Sequence, residues 1–215
     1  RGLVGDRFSG EAGHGVELDH GVAALNMLKS LTEYSNPDYL TYDSNTTAAV
    51  WEAGQAALGI MWGSRGGPIL DDEGSTEEVT GATVLTGAPT LMGDNVASTL
   101  WWDGFTIAAN VSDADAEATF VALVNGISDD VVRANNDAAV WLSDAYKPSA
   151  ASAGVSATAM SGASPYPMLP YMGLLHGALG AETTEFLQGS ETAAQALADV
   201  EAAYTAAAKE KGFLQ

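Results

Sequence analysis

Two kinds of apolar pattern alternate along this chain: stripes at helical spacing, and short unbroken apolar runs. Val22, Leu25, Leu28 and Leu31 recur at helical intervals from Asp19 onward, and Asn36-Pro37 stops them. Lys29 sits near the end of that stripe, where a cation suits the helix dipole. Thr46 to Gly54 reads as a short helix carrying Trp51, with Thr46 or Thr47 as its cap and Gly54 as its end. Pro68-Ile69-Leu70 opens another helix. Ser112-Asp113-Ala114-Asp115 has capping-box form, and Phe120, Val124 and Ile127 give the helix after it an apolar face. Asp130 to Leu142 predicts one more helix, and Met172 to Leu187 another, with a stop and restart at Gly177 to Ala181. The clearest pattern is the last. Ser190 is placed to cap it, Ala193, Leu197, Val200 and Tyr204 line one face, and Gly212 ends it.

The unbroken runs read as buried strands. Ala56 to Gly63 is one and Phe105 to Ala108, led in by Trp101-Trp102-Asp103-Gly104, is a second; Thr83-Val84-Leu85 is β-like until Gly87-Ala88-Pro89 breaks it. Arg1 to Asp19 is Gly-rich and aperiodic, hence loop, and Ser149 to Ser164 is an Ala, Ser and Gly linker or weakly packed segment. Pro165, Pro167 and Pro170 hold the chain extended around Tyr166, Met168 and Tyr171. Helices interspersed with single short strands predict an α/β or α+β chain.

Charge and composition narrow the functions open to it. Eight basic residues against 28 acidic ones give a net charge of −20 over 215 residues, and the bases are spread from Arg1 to Lys211. Nucleic acid is excluded, because phosphate neutralisation needs clustered Lys and Arg. Anionic membrane surfaces are excluded likewise. No uncharged apolar stretch reaches the roughly 18 residues that span a bilayer. The first residues lack both an initiator Met and the apolar run of a signal peptide, so a processed or trimmed chain is expected. Cysteine is absent, which removes disulfides, thiolate metal sites and Cys nucleophiles.

Most catalytic motifs are missing too. Gly63-Ser64-Arg65-Gly66-Gly67 lacks the Lys-Ser/Thr ending of a Walker loop and the frame of a nucleophile elbow. His14, His20 and His176 lack the i, i+4 spacing that pairs imidazoles on one helix face, and the acids of Asp71 to Glu78 lack the alternation of a calcium loop. The sequence predicts no cofactor and no metal site. What remains is aromatic: Trp62, Trp101 and Trp102 stand at the ends of the expected strands, Asp103 beside them, and Tyr166, Tyr171 and His176 fall around the proline-ordered segment. Flat rings beside a few polar groups suit a sugar, whose C–H face stacks while its hydroxyls hydrogen-bond.

The order of these features resembles the C-terminal half of the family 1 extracellular solute-binding proteins, the maltose-binding-protein-like components of ABC importers. Val50 to Gly63 looks like that family's helix, Gly turn and Ala-rich strand; Ala23 to Lys29 is similar to the helix before it. Val84 to Pro89 resembles a strand leading to a hinge, and Gly104 to Asn110 followed by Ala116 to Val124 resembles the next strand and helix. Tyr166 to Lys209 has the look of the closing helices. The resemblance implies an α/β, periplasmic-binding-protein-like (type II) two-lobed fold, helix-rich, with only its C-terminal half present. Residues 1–83 and 150–215 would belong to lobe 2, and 84–149 to lobe 1. It also implies a ligand site of Trp62, Ser64, Arg65, Trp101, Trp102, Asp103, Tyr171 and His176 in an interlobe cleft. Trp101 to Asp103 replace the family's usual Gly-rich approach, and His176 stands where Trp or Tyr is frequent, so maltodextrin specificity does not carry over. The implied function is non-catalytic binding of a sugar or similar polyol and its delivery to the transmembrane permease subunits. The implied location is the periplasm, or a lipid anchor outside the cell, with contact to the membrane peripheral at most. With one lobe incomplete, weak or absent binding by this chain alone is expected. The alternatives are a fragment of an exported glycoside hydrolase using an unidentified carboxylate pair, and an acidic exported interaction module.

Overall fold

Ala193, Ala196, Leu197, Val200, Tyr204 and Ala208 fall on one side of a single helix, and all six are buried. The computed structural model describes residues 15–91 and 95–214. Its helices are α1 (Gly15–Thr32), α2 (Ser44–Glu52), α3 (Gly66–Leu70), α4 (Glu77–Ala82), α5 (Asp113–Gly126), α6 (Asp129–Ala134), α7 (Ala153–Met160), α8 (Met172–Glu182), α9 (Thr184–Gln188) and α10 (Ala193–Glu210). The described strands are β1 (Thr90–Leu91) and β2 (Asn95–Val96), an antiparallel pair with Thr90 opposite Val96. No described helix is long and apolar enough to cross a membrane.

Contacts divide the chain into two compact units, one formed by the chain up to Tyr42 together with Pro167–Gln215, the other by Asp43–Tyr166. In the first, α10 packs on α8 and α1. Leu175 and Ala178 of α8 meet Val200, Tyr204 and Ala208, while Leu25 of α1 and Phe186 of α9 meet Ala193, Ala196 and Leu197. The small residues on α10 let the helices approach closely, and each fully buried Val or Leu contributes about 1.5–3 kcal/mol. Lys29 binds this cluster from its rim. Its Nζ lies 4.7 Å from the centre of the Phe186 ring and donates to the Phe186 carbonyl at 2.7 Å, satisfying an acceptor at the end of α9. Partial burial and the neighbouring carboxylates Asp199, Glu185 and Glu182 hold Glu191 above the usual carboxylate range, and burial alone raises Glu201. Such acids have no effect below the ordinary carboxylate pKa, lower stability progressively as pH rises from it through their raised values, and do so in full above them.

The second unit carries α2 to α7, with Ile69 of α3 and Val132 of α6 buried. Gly66 of α3 sits against the Ala151 carbonyl in the 3₁₀ turn Ala150–Ser152, and Gly154 of α7 against the Thr86 carbonyl, where a Cβ would lie 2.7 Å away. Thr158 of α7 accepts from the Ala88 amide at 2.9 Å and donates to the Gly154 carbonyl. An isolated parallel bridge joins Leu100 to Pro165, with Leu100 N donating to the Ser164 carbonyl and Tyr166 N to that of Leu100.

The α/β two-lobed expectation is therefore corrected: the chain is helix-rich and its described strands are two residues long. Ala56 to Gly63 and Phe105 to Ala108 form no strand, and Leu58 and Ile60 are 92% and 76% exposed rather than buried. A strand is completed only by a neighbouring backbone, and among the described residues neither run has a paired one. Gly59, Gly63 and Gly104 also lower their strand preference. Smaller differences have local causes. Residues 15–19 are helical, and the rest of the opening loop, Arg1 to His14, lies outside the described residues. The expected helix from Asp130 to Leu142 shortens to α6 and a 3₁₀ turn at Asn136–Ala138. The expected linker carries α7, preceded by a capping box between Ser149 and Ser152.

Helix boundaries follow side-chain caps, though not always the expected ones. Asp43, not a threonine, caps α2, accepting from Thr46 N at 2.7 Å and Thr46 Oγ1 at 2.9 Å. Ser112 caps α5 as expected, and Thr192, two residues past Ser190, caps α10. Gly54 and Gly212 take positive φ of 68° and 76° just beyond α2 and α10, the left-handed geometry that ends a helix. The Thr46 backbone N–H, then its hydroxyl, lowers the Asp43 pKa below the ordinary 3.8. The cap thus contributes fully above that ordinary value and is lost as pH falls through the lowered one. Asp43→Ala is expected to lower the urea midpoint at neutral pH, with parent and variant converging in acid; a difference independent of pH would show that the carboxylate is not the cause.

Candidate functional site

The Gly-rich turn after residue 62 and the Leu100–Pro165 bridge bring distant aromatic residues together. Trp62 directly precedes the 3₁₀ turn Gly63–Arg65, and Trp101 directly follows the bridged Leu100. Their rings meet edge to face, with centroids 5.3 Å apart and planes at 87°. Tyr166, brought in by its amide bond to Leu100, stacks on Trp101 at 3.8 Å and 25°. The Trp101 indole N–H donates to Thr99 Oγ1 at 3.0 Å, which fixes the ring's rotation. Trp62 and Trp101 remain 50% and 47% exposed, so they form a walled corner open to solvent. All three rings belong to the unit Asp43–Tyr166.

The other expected site residues are divided between the two units. Trp102 is exposed, its ring over Gly104, where a Cβ would lie 3.2 Å from Cζ3. Asp103 is exposed beside it in sequence. Arg65 turns to neutral partners, donating from Nη2 to Ser44 Oγ at 3.0 Å and Asn45 Oδ1 at 2.6 Å. Ser64 lines a cavity of about 10 Å³ with Asp137, Tyr146 and Ser149, room for a single water. Tyr171 and His176 belong to the other unit. Tyr171 opens α8 and meets Phe213 at 6.1 Å and 64°, while the buried Tyr204 phenol is pushed up by burial, then by Tyr171. His176 is on an exposed part of α8.

The sequence groups Tyr166 with the aromatic candidates, but the ligand site implied by the resemblance includes Trp62 and Trp101 and omits it. The proline-flanked segment Pro165-Tyr166-Pro167 was its one local signal, since prolines hold an aromatic in extended geometry. Its pairing with Leu100 is long-range and has no trace in the local pattern. No group of His, Asp or Glu able to hold a metal occurs among the described residues. No protein-family model matches the chain, and comparison with curated proteins gives no significant match.

Proposed function

We propose that the protein is a non-catalytic binding protein for a carbohydrate or similar polyol, held at the corner of Trp62, Trp101 and Tyr166. The perpendicular, half-exposed pair Trp62–Trp101 carries the reading. One ring offers a face for the C–H surface of a pyranose while the other bounds it from the side. Serving an importer as its extracytoplasmic solute-binding component rests on the order of residues alone, since the strands expected at Ala56 to Gly63 and Phe105 to Ala108 do not form. The corner lies within one unit, and an open corner of this kind suits weak binding, on the order of millimolar.

The test is titration of the chain with glucose and maltose, followed by tryptophan fluorescence and calorimetry. Trp62→Ala and Trp101→Ala are each expected to raise Kd about 2- to 12-fold, the value of a stacked ring. If both variants bind as the parent does, the corner is not the site. Release of reducing ends from maltose would overturn the non-catalytic reading.

A further inference from the structure

The corner sits in a strongly negative unit with little basic charge to spare. Between Asp43 and Tyr166 the sequence has three basic residues against sixteen acidic ones, and Arg65 is the only base from Gly54 to Asn110. Arg65 is held by Ser44 and Asn45, and Arg133 is shared between Asp129 at 3.0 Å and Asp130 at 3.2 Å. An anionic sugar would approach against this field, with neither guanidinium turned to receive its carboxylate or phosphate; the third base, the exposed Lys147, is tied through its backbone to Asn136. A cation would approach with the field and meet indole and phenol rings, whose π faces are negative. Two rings at 87° also let an ammonium group contact both walls at once.

We propose that the solute carries a positive charge, as a protonated amino sugar does, and that the corner excludes uronic acids and sugar phosphates. This rests on the carbohydrate reading above and adds charge selection to it. The ammonium group lies in the angle between Trp62 and Trp101, where the sugar ring would otherwise make apolar contact alone.

The experiment compares glucosamine, N-acetylglucosamine, glucose and glucuronate with the parent chain at a pH below that of amine deprotonation, in low and high salt, with tetramethylammonium as a cation lacking a sugar. Glucosamine is expected to bind about two- to fivefold more tightly than glucose, N-acetylglucosamine to match glucose, and glucuronate not to bind. The preference should shrink in high salt and vanish in Trp62→Ala. Glucose or glucuronate binding as tightly as glucosamine would overturn charge selection and leave the carbohydrate reading intact. Tetramethylammonium binding without any sugar binding would overturn the carbohydrate reading and leave cation selection. A glucosamine preference that survives both Trp62→Ala and Trp101→Ala would assign it to the general surface field, and absence of binding by every probe would overturn both.

Discussion

Phe186→Ala is expected to cost about 3–5 kcal/mol, the range for deleting a buried aromatic side chain. Phe186 is only 3% exposed and packs with Leu25, Ala193, Ala196 and Leu197, so its removal opens a cavity where α1, α9 and α10 meet. The neighbours cannot readily close it, because two of them are alanines on a helix already held by its other contacts. Lys29 also loses the ring beneath its ammonium group, though not its bond to the backbone carbonyl of residue 186. Urea unfolding checks the value, and thermal unfolding should shift by about 2–4 °C per kcal/mol for a chain of this size. Lys29→Met separates the ammonium from the packing and should cost clearly less. A Phe186→Ala loss below about 1 kcal/mol would mean that this cluster is not packed as described.

Gly66→Ala is expected to cost about 1–3 kcal/mol, the usual penalty for forcing an added methyl into a packed site. A Cβ there would overlap the Ala151 carbonyl oxygen and come within 2.9 Å of Leu85 Cδ1. The first obstacle is backbone, so no rotamer change relieves it; α3 or the turn Ala150–Ser152 has to move. Gly81→Ala in α4 is the matched control, because nothing lies within 4 Å of its Cβ position and alanine is the better helix former. That variant should be neutral or slightly stabilised. Equal losses in the two variants would trace the effect to something other than the Gly66 contact. Gly66→Ala should also disturb the neighbouring turn Gly63–Arg65, so sugar titration of the same variant links the packing of α3 to the aromatic corner.

The helices were legible where their information is local. The stripe of α10 sits in the sequence at the spacing that the structure buries, and the Ser112 cap of α5 was read directly from residue type. Both depend on bonds within a few residues. The expected strands depended on partners elsewhere in the chain, and Ala56 to Gly63 has the same apolar composition whether or not a partner exists. The segment from Ser149 to Ser164 misled for a different reason. Its alanines and glycines looked like slack, yet they are what lets α7 approach the chain at Thr86 and Gly87, with a Cβ on Gly87 only 3.1 Å from that of Ala157. At the corner, Trp62 and Trp101 are legible by residue type, although the strand ends expected to hold them do not form, whereas the stacking of Tyr166 depends on the Leu100 pairing and the neutral partners of Arg65, Ser44 and Asn45, follow no spacing rule.

The bridge at Leu100 and Pro165 has a kinetic consequence. It closes a loop of roughly 65 residues, and the entropy of bringing such ends together must be spent before Trp101 can meet Tyr166. The stacked pair Trp101–Tyr166 is therefore absent from any partly folded chain in which that loop is still open. The emission of Trp101, stacked on Tyr166 only after closure, becomes a clock for loop closure. Under the proposed function, a solute at the corner binds the closed loop alone and so holds it shut by mass action.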